Sequence, residues 1–196
     1  MEKPREKGIK ELILSRASNI FKRFGFKKTT MEDIAGSLNK AKGSLYYYFK
    51  NKEDIFRSIV EKEKSQLDDE LAPILQGKLE PKDKLVRYFQ KRIEFLDKLP
   101  NYYSALKDKH LEHYSFVADL REKSREEEIK SIRNILNEGI KAGTFRKLDP
   151  DKLAINIVSS MKYLEERAVS RENIKEIETD LEIMLDIILH GLVARN

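Results

Sequence analysis

The 196-residue chain has no cysteine, no tryptophan and only three histidines. The first absence excludes disulfides, thiolate zinc sites and cysteine nucleophiles. His110 and His113 stand three positions apart, but no third ligand accompanies them, so no metal site is expected. There is no Gly-rich phosphate loop, no Gly-x-Ser-x-Gly, no His-Glu-x-x-His and no Glu-x-x-His pair. An enzyme is therefore not expected, and neither is a cofactor. No apolar run approaches the roughly 18 residues that a membrane span needs. The opening MEKPREKGIKE is charged and lacks the apolar core of a signal peptide. A cytoplasmic protein with no membrane partner is the expectation. Strand signals are missing too: there is no period-two alternation and no Asn-Gly or Asp-Gly hairpin turn. No fixed-period repeat or low-complexity linker interrupts the chain.

What is present is 40% hydrophobic and 37% charged, a balance that suits a folded helical protein and not a disordered one. The charge is uneven. Through position 52 there are thirteen basic and five acidic residues, a net of +8, while the remaining 144 residues carry −3. A basic head on a mildly acidic body suits a polyanionic partner, although a lysine-rich solvated surface reads the same way.

Apolar periodicity near 3.6 divides the chain into helices. Ile9, Leu12, Ile13, Ala17, Ile20, Phe21 and Phe24 make one face of a first helix that Gly25 should end. Thr30 followed three residues later by Asp33 is a capping-box spacing, so a short second helix starts near Met31. Asn39 permits a tight left-handed turn. A third helix covers Lys42 to Phe49, and Asn51 can cap a long fourth helix that should end near Pro73. Two short helices joined by a tight turn, after a longer one, form a helix-turn-helix arrangement. Its last part, KAKGSLYYYFKNKED (Lys40–Asp54), holds four consecutive aromatics. A helix can bury only about half of them against one core. Leu45 with Tyr48 or Phe49 faces inward, leaving Tyr46 and Tyr47 to meet a partner. Beyond Pro81 the helices are longer: about Pro81 to Leu99, Tyr102 to His110, Phe116 to Ala142, Asp149-Pro150 to Val169, and Glu172 to Val193. The last two are broadly apolar, with Ile157, Met161 and Leu164 on one and Ile183 and Ile187 on the other. They could form a four-helix bundle with a second copy, or be ordinary core helices.

The stretch TTMEDIAGSLNKAKGSLYYYFKNKEDIF (Thr29–Phe56) resembles the DNA-binding head of the TetR family of transcriptional regulators. EGIKAGTFRKLDPDKLA (Glu138–Ala154) is similar to that family's lead-in to its first dimerisation helix. Three positions depart from the pattern: Asn39 for a usual glycine, Lys40 for a valine, and Ala41 for a capping serine. The resemblance implies an all-α protein, with a DNA-binding domain at 1–52 and a helical ligand-binding and dimerisation domain at 53–196. It implies a homodimeric, ligand-responsive regulator, a repressor in most of the family, on near-palindromic double-stranded DNA. Thr30 would bind phosphate or cap its helix. Lys42, Gly43 and Ser44 would enter the major groove. Tyr46 and Tyr47 would grip phosphates and the groove wall, Tyr48 would touch a base edge, and Lys52 would bind phosphate. Phe89, Tyr103, His110, His113 and Phe116 are candidates for an apolar pocket suited to an apolar or aromatic effector, though core or surface positions would explain them as well. The alternative function is a helical module that binds a protein partner and no specific DNA.

Overall fold

The computed structural model describes residues 4–169 and 174–193. They form nine α-helices and one 3-10 turn. These are α1 (Pro4–Lys28), α2 (Met31–Ser37), α3 (Lys42–Tyr46), α4 (Lys52–Gln76), α5 (Pro81–Phe95), α6 (Pro100–Lys107), the turn Lys109–Leu111, α7 (Ser115–Lys141), α8 (Pro150–Val169) and α9 (Ile174–Leu192). Among the described residues the only extended pairing is a single antiparallel bridge between Phe145 and Val193. The expected start of the last helix at Glu172 lies outside the described residues.

The chain divides into two compact units. The first runs to Ser65 and takes in Leu99–Phe116; the second holds Gln66–Lys98 and continues from Val117. The division therefore falls within α4, and α6 belongs to the same unit as the helix-turn-helix.

In the first unit, Gly25 breaks the regularity of α1 with φ 78° and ψ 160°, a backbone that a residue with a Cβ rarely adopts. The break turns Phe26 inward, where its ring lies 5.7 Å from Phe21 and 4.8 Å from Phe56. Thr29 closes the turn by donating to the Gly25 carbonyl at 2.8 Å. Thr30 then caps α2. Its hydroxyl accepts the Asp33 N–H at 3.2 Å, while the Asp33 carboxylate accepts the Thr30 N–H at 2.9 Å. The Thr30 hydroxyl also donates to that carboxylate at 2.8 Å, and this bond, with the one from the Thr30 N–H, holds the Asp33 carboxyl below its usual range. Asn39 takes the left-handed conformation at φ 52°. Helix α3 is shorter than its sequence pattern. It ends at Tyr46 because the chain tightens there, with the Tyr48 and Phe49 N–H groups both donating to the Leu45 carbonyl. That tightening buries Phe49 and leaves Tyr48 half-buried. Asn51 caps α4, accepting the Asp54 N–H at 2.8 Å.

Within the second unit, Pro73 does not end α4. A proline loses its own N–H bond and crowds the carbonyl four residues back, but its own carbonyl can still accept, and the Gly77 N–H reaches it at 3.0 Å as the helix continues to Gln76. Leu85, Phe89, Ile132, Ile135, Leu136, Ala154, Ile157, Met161, Ile177 and Leu181 are all buried. Three charged residues, Lys84, Arg92 and Glu165, are buried with them. Lys84 donates to Glu138 at 2.8 Å. Arg92 donates through Nε and Nη2 to one oxygen of Glu165, at 2.9 and 2.7 Å, and Nη2 also lies 3.3 Å from Glu128.

Candidate nucleic-acid interface

Leu45 anchors α3 from below and is fully buried. With that face fixed, the rest of α3 and the residue that follows it are presented outward: Lys42, Gly43, Ser44, Tyr46 and Tyr47 are all exposed. Tyr47 is the most exposed large apolar side chain among the described residues, at 72%. Exposing that much aromatic surface on a rigid helix is unfavourable unless a partner covers it. No atom lies within 4 Å of where a Cβ on Gly43 would stand, so a backbone or base edge can approach closely there.

These side chains are held in place. The Lys42 ammonium pairs with the Glu32 carboxylate on α2 and lies 5.6 Å from the centre of the Tyr46 ring. The hydrogen bond between them lowers the Glu32 carboxyl and raises the Lys42 ammonium from their ordinary values. The Tyr47 hydroxyl donates to Glu6 at 3.0 Å, which pushes that phenol up. Its ring meets the Tyr48 ring edge-on at 4.9 Å. Sequence reading missed both carboxylates. The Tyr47–Glu6 pair spans 41 positions, and no local spacing announces it.

Two expected contacts sit differently from the rest. Thr30 is engaged in its cap on both sides. Lys52 directs its ammonium to the carbonyls of Phe26 and Thr29, each at 3.0 Å, and over the Phe26 ring at 4.5 Å. It closes the open end of α1, where unpaired carbonyls attract a cation.

The five expected pocket residues do not share a unit. Phe89 is buried in the second, while Tyr103, His110, His113 and Phe116 belong to the first. There Tyr103 is buried, the two histidines are exposed and Phe116 is half-buried. Among the described residues no group of three His, Asp or Glu could hold a metal ion.

Three of the expected interface residues lie on α8. Ile157, Met161 and Leu164 are already buried within the single chain, because the apolar face of α8 packs on the chain's own core. Ile183 and Ile187 on α9 are exposed, at 55% and 67%, as is Tyr163 on α8.

Residues 13–59 match the family model for bacterial regulatory proteins of the tetR family, and this segment spans the whole of α2, the turn and α3. This segment is a TetR-type helix-turn-helix head. Among curated relatives, the chain is 40% identical over 70 residues to the HTH-type transcriptional regulator YhgD of Bacillus subtilis, covering 34% of this chain and 37% of that one. It is 43% identical over 53 residues to the biofilm operon icaADBC negative transcriptional regulator IcaR of Staphylococcus epidermidis, covering 27% and 29%. The chain thus spans about a third of the length of the curated relatives it matches. Solved structures extend the likeness along the chain. A regulator from Clostridium perfringens is 28% identical with a TM-score of 0.70, covering 93% of this chain and 99% of that one. A Saccharomonospora viridis protein in complex with choline is 20% identical with a TM-score of 0.83, covering 96% and 100%; at that identity it speaks for the TetR fold alone. The fold is accordingly all-α, a helix-turn-helix head followed by a helical domain. No helix among the described residues is long and apolar enough to cross a membrane.

Proposed function

We propose that this chain is a ligand-responsive transcriptional repressor that binds a near-palindromic DNA site as a homodimer and is released by a small molecule. One observation carries the reading: α3 presents Lys42, Gly43, Ser44, Tyr46 and Tyr47 outward on a head with a net charge of +8. A helix with a bare glycine, small polar groups and a lysine suits a major groove, and tyrosines beside it suit the groove wall and phosphates. In this reading residues 1–52 bind DNA and 53–196 bind effector and partner copy. Tyr48 touches a base edge, and Lys52 fixes the end of α1 beside the phosphate path. Ile183, Ile187 and Tyr163 supply the apolar face for a second copy, since an exposed face of that size on adjacent terminal helices is otherwise costly. Repression draws support from IcaR, named a negative regulator. For this chain an apolar or aromatic effector is proposed, and the work of binding chromosomal DNA would put the protein in the cytoplasm.

The test is selection of genomic DNA fragments by the purified protein at moderate salt, followed by sequencing of what it retains. A shared near-palindrome is expected, with Lys42→Ala and Tyr47→Ala losing it. A stable, salt-resistant protein complex with no fragment enriched would replace this reading by the partner-binding module.

A further inference from the structure

We infer that Glu32 and Glu6 are carboxylate gates on the DNA-facing side of α3, each holding one contact side chain that DNA must take from it. The inference rests on the DNA-binding reading and adds two residues that this reading leaves idle. The Lys42 ammonium is paired with Glu32, although ten positions and the whole turn separate them. The Tyr47 hydroxyl, on the most exposed of the aromatics, donates to Glu6 in the first turn of α1. Both carboxylates thus take the donor that a phosphate or base acceptor would otherwise receive.

Both carboxylates sit in the first turn of a helix, where a negative charge is favourable. The cap of α2 is the reciprocal pair Thr30–Asp33 and does not involve Glu32. Both gates are in water, where such pairs are weak and open readily. Facing DNA they act differently. Each places a negative charge within a Debye length of about 8 Å of a phosphate that approaches its partner. Non-specific binding is almost wholly phosphate electrostatics, whereas base contacts add the sequence-dependent part. A carboxylate beside each contact donor therefore weakens the grip on any DNA and leaves the base contacts to decide. The gates trade affinity for selectivity, and they hold Lys42 and Tyr47 in one orientation beforehand.

The experiment measures dissociation constants and their salt dependence for a selected genomic fragment and for random duplex. Glu32→Gln and Glu6→Gln should each tighten random duplex by about two- to fivefold and the selected fragment by less. The slope of log affinity against log salt should steepen by about 0.9 for Glu32→Gln, which frees an ammonium, and change little for Glu6→Gln, which frees a neutral hydroxyl. Preference for the selected fragment over random duplex should fall. In a Lys42→Met background the gain from Glu32→Gln should disappear, as should that from Glu6→Gln in Tyr47→Phe. Unchanged affinity and slope in the glutamine variants, or equal gains in both backgrounds, would overturn the gates and leave the DNA-binding reading standing. A wild-type protein that selects no fragment would overturn both.

Discussion

The carboxylate of Glu63 on α4 accepts the side-chain amide of Asn101 on α6 at 2.7 Å, and both residues are buried. The other Glu63 oxygen accepts the Tyr102 N–H at 2.7 Å, and the Asn101 amide also donates to Ser18 on α1 at 2.9 Å. One acid therefore caps the first turn of α6 and ties three helices of the first unit together.

Replacing Glu63 by alanine strands a side-chain amide and a backbone N–H in a dry interior, which should cost about 3 kcal/mol. Glutamine should cost about 1 kcal/mol, since it can still accept from Tyr102 and donate to a reoriented Asn101. Urea denaturation of the two variants checks the ranking, and equal losses would refute it.

Burial pushes the Glu63 carboxyl above its ordinary value of 4.5, against hydrogen bonds from Asn101 and Tyr102 that oppose the rise. The folded state therefore takes up this proton before the unfolded chain does. Its contribution is greatest below 4.5 and is lost as pH rises through the folded value. Glu32, Asp33 and Glu94 carry lowered values and act in the opposite sense, losing stabilisation as pH falls. The stability of wild type relative to Glu63→Gln should thus decline from acid to neutral pH, and a flat difference would exclude Glu63 as the source.

In the second unit, Arg92→Met removes both hydrogen bonds that Glu165 receives from the guanidinium, and should cost about 3–5 kcal/mol. Arg92→Met with Glu165→Leu should recover part of that loss, because no uncompensated charge is then left at position 165. Denaturation of both variants decides this; a double variant worse than the single one would contradict it.

A Cβ on Gly139 would stand 2.1 Å from the Phe145 ring, while the Phe145 N–H bonds the Gly139 carbonyl at 3.0 Å and holds that ring close. Gly139→Ala should therefore destabilise by about 1–3 kcal/mol despite the better helix propensity of alanine. Thermal melting tests this, and a raised midpoint would show that the ring can move aside.

If the proposed homodimer forms through α9, Ile183→Asp and Ile187→Lys should yield a stable monomer, and sedimentation should show halved mass with little change in melting. Met161→Ala should do the reverse, costing about 2–5 kcal/mol through an internal cavity and leaving the assembly intact. Dissociation by Met161→Ala alone would return the interface to the buried face of α8.

Local chemistry was readable along the head. The Thr30–Asp33 cap, the left-handed Asn39 and the Asn51 cap each depend on residues a few positions apart, and all three are in place. The end of α4 was not readable from Pro73, because a proline four residues from a helix end can be carried by the carbonyl bonds around it. Nor was the end of α3. The choice between Tyr48 and Phe49 as the inward aromatic depended on how tightly the chain turned after Leu45.

By itself the sequence determined the all-helical class, the positions of the helix-turn-helix elements and the basic head, since these follow from periodicity, capping and composition. Tertiary structure alone decided which partner each side chain found. It placed α6 with the head through Glu63 and Asn101, turned Lys52 to the end of α1, and set Glu6 and Glu32 against the side chains of α3. It also buried Met161 while leaving Ile187 exposed. A 3.6-residue period specifies that a helix has an apolar face; which surface covers that face depends on contacts between residues far apart in the chain.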